Sequence, residues 1–120
     1  MDLLEELKSL GVDVDEGMGR VMDDKDLYTM MLDMFVTAID TTPIQPEEFD
    51  GAALDDLIGK VHMLKGTTGN LSIQPLFTRY TQALGLLREG NPAKAKAFYL
   101  ELLPMQRKIV ECIRRHQGEG

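Results

Sequence analysis

The chain has 120 residues, of which 43% are hydrophobic, and its 20 Asp and Glu outnumber its 13 Lys and Arg to give a formal net charge of −7. This length predicts one domain, and the apolar content is typical of a globular fold rather than of a disordered chain. The acidic surface and the 6% aromatic content argue against nucleic acid as a ligand, because phosphates repel acidic surfaces and bases stack on aromatic rings.

Three further features bear on where the protein acts. No apolar run approaches the ~20 residues that cross a bilayer, and the acidic residues after Met1 do not resemble a signal peptide. Cys112 is the single cysteine, so it can form no internal disulfide. We therefore expect a cytoplasmic protein that does not associate with membranes.

Helical periodicity extends along most of the chain, whereas strand-like alternation is nearly missing. Asp2 is expected to cap a first short helix that ends before Gly11, and a second short helix is expected over about residues 15–22. From residue 24 or 25 to about residue 39, apolar side chains recur every three or four positions and predict a helix with one buried stripe. That stripe comprises Leu27, Met30, Met31, Met34, Phe35 and Ala38. We interpret its methionines as core residues rather than as a partner groove.

After a proline-containing loop, the next helix is expected over about residues 50–71, and Ser72 is well placed to cap the helix that follows. The last helix begins at residue 92 or 93 and contains Pro104, which predicts a kink or local break near residues 100–103. Residues 116–120 read as a polar, flexible tail. Together these elements predict an all-α fold: an antiparallel four-helix bundle with one or two short extra helices at the N-terminus, in a single domain over residues 1–120.

The most informative segment surrounds His62. At about 100° per residue, the apolar side of this helix lies more than about 90° from His62, which is therefore expected to face solvent. The residues of the apolar side are Leu54, Leu57, Val61, Leu64, Thr68 and Leu71. The helical neighbours of His62 at i−3, i+4 and i+7 are Gly59, Gly66 and Gly69.

Glycines inside a helix cost about 0.8 to 1 kcal/mol each relative to alanine. Packing of a neighbouring helix is the ordinary explanation, but here the glycines coincide with polar residues rather than with the apolar side. We therefore predict that another macromolecule approaches the imidazole closely. Lys65, at i+3 from His62, is placed to neutralise an anion held there.

The segment reads His62-Met63-Leu64-Lys65-Gly66-Thr67-Thr68. It closely resembles the H-x-L-K-G-[ST]-[SAT] signature of the histidine phosphotransfer (HPt) domains of two-component phosphorelays. The resemblance extends from Gly11 to about Met105 and includes the pair Asn70-Leu71. Ser72 departs from it, since many members have Gly after this pair. The matching N-terminal residues are Gly11-Val12-Asp13, Gly19, Arg20, Asp26-Leu27-Tyr28, Met31-Leu32 and Phe35.

The resemblance implies that His62 accepts a phosphoryl group, through Nε2 by family analogy, from a receiver-domain aspartyl phosphate and passes it to another receiver. Lys65 would stabilise the phosphoryl oxygens and Gly66 would admit the receiver loops. The implied partners are response-regulator receiver domains and a hybrid sensor histidine kinase. The chain would be a phosphocarrier rather than a turnover enzyme, without kinase activity of its own because it has no Gly-rich nucleotide loop. It would have no cofactor of its own, and Mg²⁺ would come from the receiver.

The receiver also needs an apolar surface beside the histidine. Ile58 and Met63, which flank the site, are the candidates for partner binding, together with Gly59 and Gly69. Side chains of the helix over residues 24–39 would complete this surface by bundle geometry.

Three alternatives differ in chemistry. A haem or metal bundle would need paired inward ligands, and the set of Glu111, Cys112 and His116 suggests only adventitious binding, so we predict no metal site. A hydrolase would need an acid and a nucleophile placed beside His62. A non-catalytic helical module that docks a receiver or sensor kinase is the strongest alternative. A monomer is expected in each case.

Overall fold

The computed structural model describes residues 1–117. Within them the chain forms six α-helices and one 3-10 turn and contains no strand, which confirms the all-α prediction. None of these helices is long and apolar enough to cross a membrane. The elements are α1 Leu3–Ser9, α2 Val14–Arg20, α3 Lys25–Thr41, the 3-10 turn Pro46–Asp50, α4 Leu54–Asn70, α5 Gln74–Arg88 and α6 Pro92–Gln117.

An aspartate caps each of the first three helices. The carboxylates of Asp2, Asp13 and Asp24 each accept a hydrogen bond from the backbone N–H three residues later, at 2.8, 3.2 and 3.1 Å. A cap of this kind stabilises a helix by about 1 kcal/mol and also places negative charge at the positive end of the helix dipole. Gly11 follows α1 with a φ of +93°, as the sequence predicts for the residue that ends this helix.

Helix α5 packs against both α4 and α6. Helices α1 and α3 also contact α6. The 3-10 turn occupies part of the expected loop, and α4 begins at Leu54 rather than near residue 50. This turn is anchored by Phe49, whose ring is buried 5.2 Å from that of Tyr99 in α6.

The stripe predicted for α3 is confirmed for Phe35, which is buried, and for Met31, which packs against the core, but it is wrong for Leu27, Met30 and Met34. The buried side chains of this helix are Tyr28, Leu32, Phe35 and Val36. Leu27, Met30 and Met34 are exposed. At about 100° per residue, apolar side chains cover roughly two thirds of the circumference of α3. Periodicity alone therefore left the centre of the buried face open, and the larger aromatic and branched side chains take the core.

The connection between α4 and α5 also differs from the prediction. Ser72 does not cap α5, because Ile73 occupies the cap position and Ser72 has a φ of +57°. Its buried hydroxyl donates to Glu16 at 2.8 Å and accepts from Arg20. The hydrogen bonds that Glu16 accepts from Ser72 and from Arg20 hold the pKa of its carboxyl below its usual value. The bonds of Ser72 to Glu16 and Arg20 accompany a left-handed conformation that glycine adopts more easily.

Tyr28 links α3 to the same connection. Its fully buried hydroxyl donates to the carbonyl of Leu71 at 2.7 Å. Tyr28→Phe leaves that carbonyl without this donor, and we expect it to lower the free energy of unfolding by about 1 kcal/mol. Urea denaturation of both proteins measures the difference, and an unchanged midpoint would show that water replaces the hydroxyl at no cost.

Helix α6 runs without interruption from Pro92 to Gln117, so of the predicted kink or local break near Pro104 the break does not occur, and the kink stays a prediction. Pro104 lies on the exposed side, as does Leu100, whose carbonyl loses its helical partner at the proline. Water can solvate that carbonyl, and the helix tolerates the missing hydrogen bond. The helix also includes His116 and Gln117 of the predicted tail, while residues 118–120 of that tail lie outside the described part.

Candidate functional site

The predicted division of α4 into two sides is confirmed. Leu57, Val61, Leu64 and Thr68 are buried on the core side. His62 is exposed, as the helical phase of the sequence predicts. The imidazole is therefore presented to solvent from the middle of a long helix that is anchored along its other side.

The three glycines near His62 differ in what surrounds them. A Cβ atom built on Gly59 or Gly66 meets nothing within 4 Å, so both positions leave open space beside the histidine. A Cβ on Gly69 would lie 3.0 Å from the ring of Phe77 in α5. Gly69 therefore allows α5 to pack closely, and its predicted contact with a partner stays a prediction.

A second helix contributes a cation that the sequence analysis missed. The Nη2 atom of Arg88, in the last turn of α5, lies 3.5 Å from Nδ1 of His62. Lys65 lies one turn after His62 on α4 and is half-buried. Neither cation forms an ion pair with a carboxylate within residues 1–117. His62 is thus flanked by positive charge from two helices. Residues 62 and 88 are too far apart in the sequence for helical periodicity to relate them, so this contact could be found only from the packing of α4 on α5.

The contact with Arg88 also bears on the protonation of the ring. A guanidinium has only donors, so a hydrogen bond from Arg88 requires a lone pair on Nδ1 of His62. In the neutral ring this arrangement puts the proton on Nε2. An anion arriving at the ring would be a stronger acceptor for Arg88 than Nδ1 is, and the guanidinium would then release that nitrogen.

The threonine hydroxyls that follow His62 are already used within α4. Thr67 donates to the carbonyl of Met63 at 3.0 Å, and Thr68 donates to that of Leu64 at 2.7 Å. Such bonds to the preceding turn are the expected alternative to a catalytic role. Within residues 1–117 no carboxylate pairs with His62, so a hydrolytic triad is not assembled here.

An apolar cavity of about 320 Å³ lies between α3 and α4, on the side of α4 that carries Met63. Met63, next to His62 in the chain, forms one wall, and Met31 and Met34 of α3 form the other. The remaining residues that line it are Ala38, Thr67, Asn70 and Leu71. Sequence reasoning proposed that α3 completes this surface but had assigned the methionines to the core.

Met63 and Ile58, the two apolar residues predicted to contact a partner, differ in exposure. Met63 is 36% exposed and faces the cavity. Ile58 is only partly exposed and packs against the core, so less of its side chain is accessible to a partner.

Comparison of this chain with protein-family models, with curated proteins and with solved structures finds no significant match. A functional assignment therefore depends on the residues around His62 and on the signature they carry.

Proposed function

We propose that the protein is a histidine phosphocarrier of a two-component relay, similar to HPt domains. The observation that carries the proposal is the surroundings of His62: an exposed imidazole with Arg88 3.5 Å away, Lys65 one turn on and open space at Gly66. Two cations near one imidazole suit a transferred group that carries negative charge. The four long helices α3 to α6 would form the antiparallel bundle of that family.

In the proposed reaction, the Nε2 lone pair of neutral His62 attacks the phosphorus of an aspartyl phosphate on a receiver domain. The new N–P bond forms as the bond between phosphorus and the aspartyl oxygen breaks, and the carboxylate leaves with its electron pair. The charge gained by the ring is relieved when the proton on Nδ1 leaves to solvent. Transfer to a second receiver reverses these bond changes.

The reaction requires Nε2 without a proton, whereas Arg88 favours the opposite tautomer in the free protein. We infer that the incoming phosphoryl group draws Arg88 away from Nδ1, so that this guanidinium contributes to the stabilisation of the transferred oxygens. Lys65 would contact the same oxygens from the other side of the ring. Mg²⁺ would be held by the receiver, whose carboxylates supply the oxygen ligands that this ion prefers.

The apolar cavity beside His62 supports docking of a receiver domain. Met34 is 63% exposed and Met63 is 36% exposed, and flexible thioether side chains adapt to more than one partner surface. This property suits a carrier that must bind a donor and an acceptor in turn. Our proposal is that one receiver surface occupies the cavity while its aspartyl phosphate reaches His62.

Phosphoryl transfer from labelled receiver domains tests the proposal. Several receivers are phosphorylated, mixed with the protein in Mg²⁺, and the label on the protein is measured. We expect label that is stable in base and lost in acid, as for an N–P bond. Binding of receivers without label on the protein would instead favour the alternative function, a non-catalytic docking module.

Arg88 provides a more specific prediction. We expect Arg88→Ala to lower the rate of phosphoryl acceptance about tenfold, because one of two cations beside the transferred oxygens is lost. Stopped samples of the transfer reaction give this rate, and Arg88→Lys should recover part of it. If Arg88→Ala accepts the phosphoryl group at the wild-type rate, Arg88 does not stabilise the transferred oxygens and only favours one tautomer of His62 in the free protein.

A further inference from the structure

A cluster of metal-ligand side chains lies where α1 packs against the last turns of α6. It comprises Glu6 of α1 with Cys112 and His116 of α6. One ligand atom from each residue can be chosen so that all three lie within 4.8 Å of one another. Cys112 and His116 are four residues apart and therefore share a face of α6.

We propose that Glu6, Cys112 and His116 form a Zn²⁺ site, with water as the fourth ligand. A thiolate, an imidazole and a carboxylate are the ligand types that Zn²⁺ takes in proteins, at about 2.0 to 2.3 Å. At those bond lengths, tetrahedral ligand atoms lie about 3.3 to 3.8 Å apart. Because the ligand atoms all lie within 4.8 Å of one another, the side chains would need to close by no more than about 1.5 Å.

The burial of the three residues is suited to a partly enclosed site. Cys112 is fully buried, whereas the side chains of His116 and Glu6 are 12% and 20% exposed. An ion would reach the thiol past these two side chains, and water would take the fourth coordination position. The mixture of one soft and two harder ligands favours Zn²⁺ over Mg²⁺ or Ca²⁺, which prefer oxygen ligands alone.

Arg115 competes with a cation for Glu6. Its Nη1 and Nη2 atoms lie 3.1 and 2.7 Å from Oε1 and Oε2 of Glu6. Oε2 is also the oxygen 4.0 Å from Nε2 of His116. Coordination through Oε2 would leave Oε1 to Arg115, whose charge nevertheless opposes that of the ion.

Binding replaces the S–H bond of Cys112 with a Zn–S bond, and the thiol proton leaves to solvent. Binding should therefore release a proton, as expected for a thiolate ligand.

Co²⁺ is the probe for this site, because its complexes with thiolate absorb in the near ultraviolet. Cys112 is the single cysteine of the chain, so a thiolate-to-cobalt band can arise only from this residue. The full chain is titrated with Co²⁺ in a phosphine reductant and then with Zn²⁺. We expect a thiolate band and tetrahedral visible bands that Zn²⁺ removes.

Matched variants distinguish binding at this three-residue site from nonspecific binding of the ion elsewhere on the protein. Glu6→Gln and His116→Gln should each weaken Co²⁺ binding more than about tenfold. Glu111→Gln, an exposed neighbour of Cys112, should leave it unchanged. Arg115→Gln should strengthen binding, because the competing cation is removed. Circular dichroism of each variant verifies that the helices are retained.

Two results would overturn the proposal. One is the absence of a thiolate band at millimolar Co²⁺. The other is an affinity for Co²⁺ that stays at the wild-type value in both Glu6→Gln and His116→Gln. Either would show that the cluster is only a hydrogen-bonded contact between α1 and α6. The proposal is independent of phosphotransfer, and neither result bears on His62.

Discussion

Replacing His62 with glutamine is expected to abolish phosphoryl acceptance from every receiver that labels the wild type. Glutamine keeps much of the size and polarity of the imidazole, but its amide nitrogen has no lone pair available for attack on phosphorus. The loss should therefore be complete rather than partial. Because His62 is exposed on α4, we expect the free energy of unfolding to change by less than about 0.5 kcal/mol.

The comparison requires a control for the second histidine. His116 lies near the end of α6, against Glu6, and His116→Gln should accept label at the wild-type rate. Transfer and thermal unfolding are measured on both variants under the same conditions. Label retained by His62→Gln would place the phosphoryl group on another residue, and a large fall in its melting temperature would contradict the exposed geometry.

Enlarging Gly66 is expected to block receiver docking while making the protein more stable. Gly66 is exposed in the middle of α4 with nothing within 4 Å of a Cβ. Gly66→Ala should raise the free energy of unfolding by up to about 1 kcal/mol, because alanine is the better helix former. Gly66→Leu should also be at least as stable as wild type, yet its side chain would occupy the space that a receiver loop needs.

We therefore expect the transfer rate to fall from wild type to Gly66→Ala and again to Gly66→Leu. The loss for leucine should be at least a hundredfold, which corresponds to about 3 kcal/mol of lost docking energy. Gly85→Leu is the matched control, since Gly85 is also an open, exposed glycine inside a helix but lines a groove between α5 and α6. Equal rates for Gly66→Leu and Gly85→Leu would show that a receiver does not approach His62 over Gly66.

The helices and the phase of α4 could be predicted from the sequence because they depend on local signals. Aspartate caps, helix-ending glycines and the spacing of Leu57, Val61 and Leu64 act over a few residues. The buried face of α3 could not be predicted in the same way, since apolar residues lie on several of its sides. The buried face of α3 is determined by tertiary packing, which leaves Met30 and Met34 outside the core.

The remaining site features depend on contacts between residues distant in the chain. Arg88 reaches His62 only because α5 packs on α4, and Glu6 reaches Cys112 only because α1 packs on α6. Ser72 was expected to cap a helix, but its hydroxyl is engaged by Glu16 and Arg20 of α2. Single-sequence patterns carry no information on such pairs until the tertiary arrangement is known.

The exposed methionines beside His62 have a consequence for the redox chemistry of this surface. Oxidation converts a thioether to a sulfoxide, which is polar and accepts hydrogen bonds. Met34 and Met63 are accessible and line the apolar cavity, whereas the buried core of the described chain contains no methionine. Oxidants would therefore change the polarity of the surface next to His62 while leaving the interior of the protein intact, and a reductase that restores the thioethers would reverse the change.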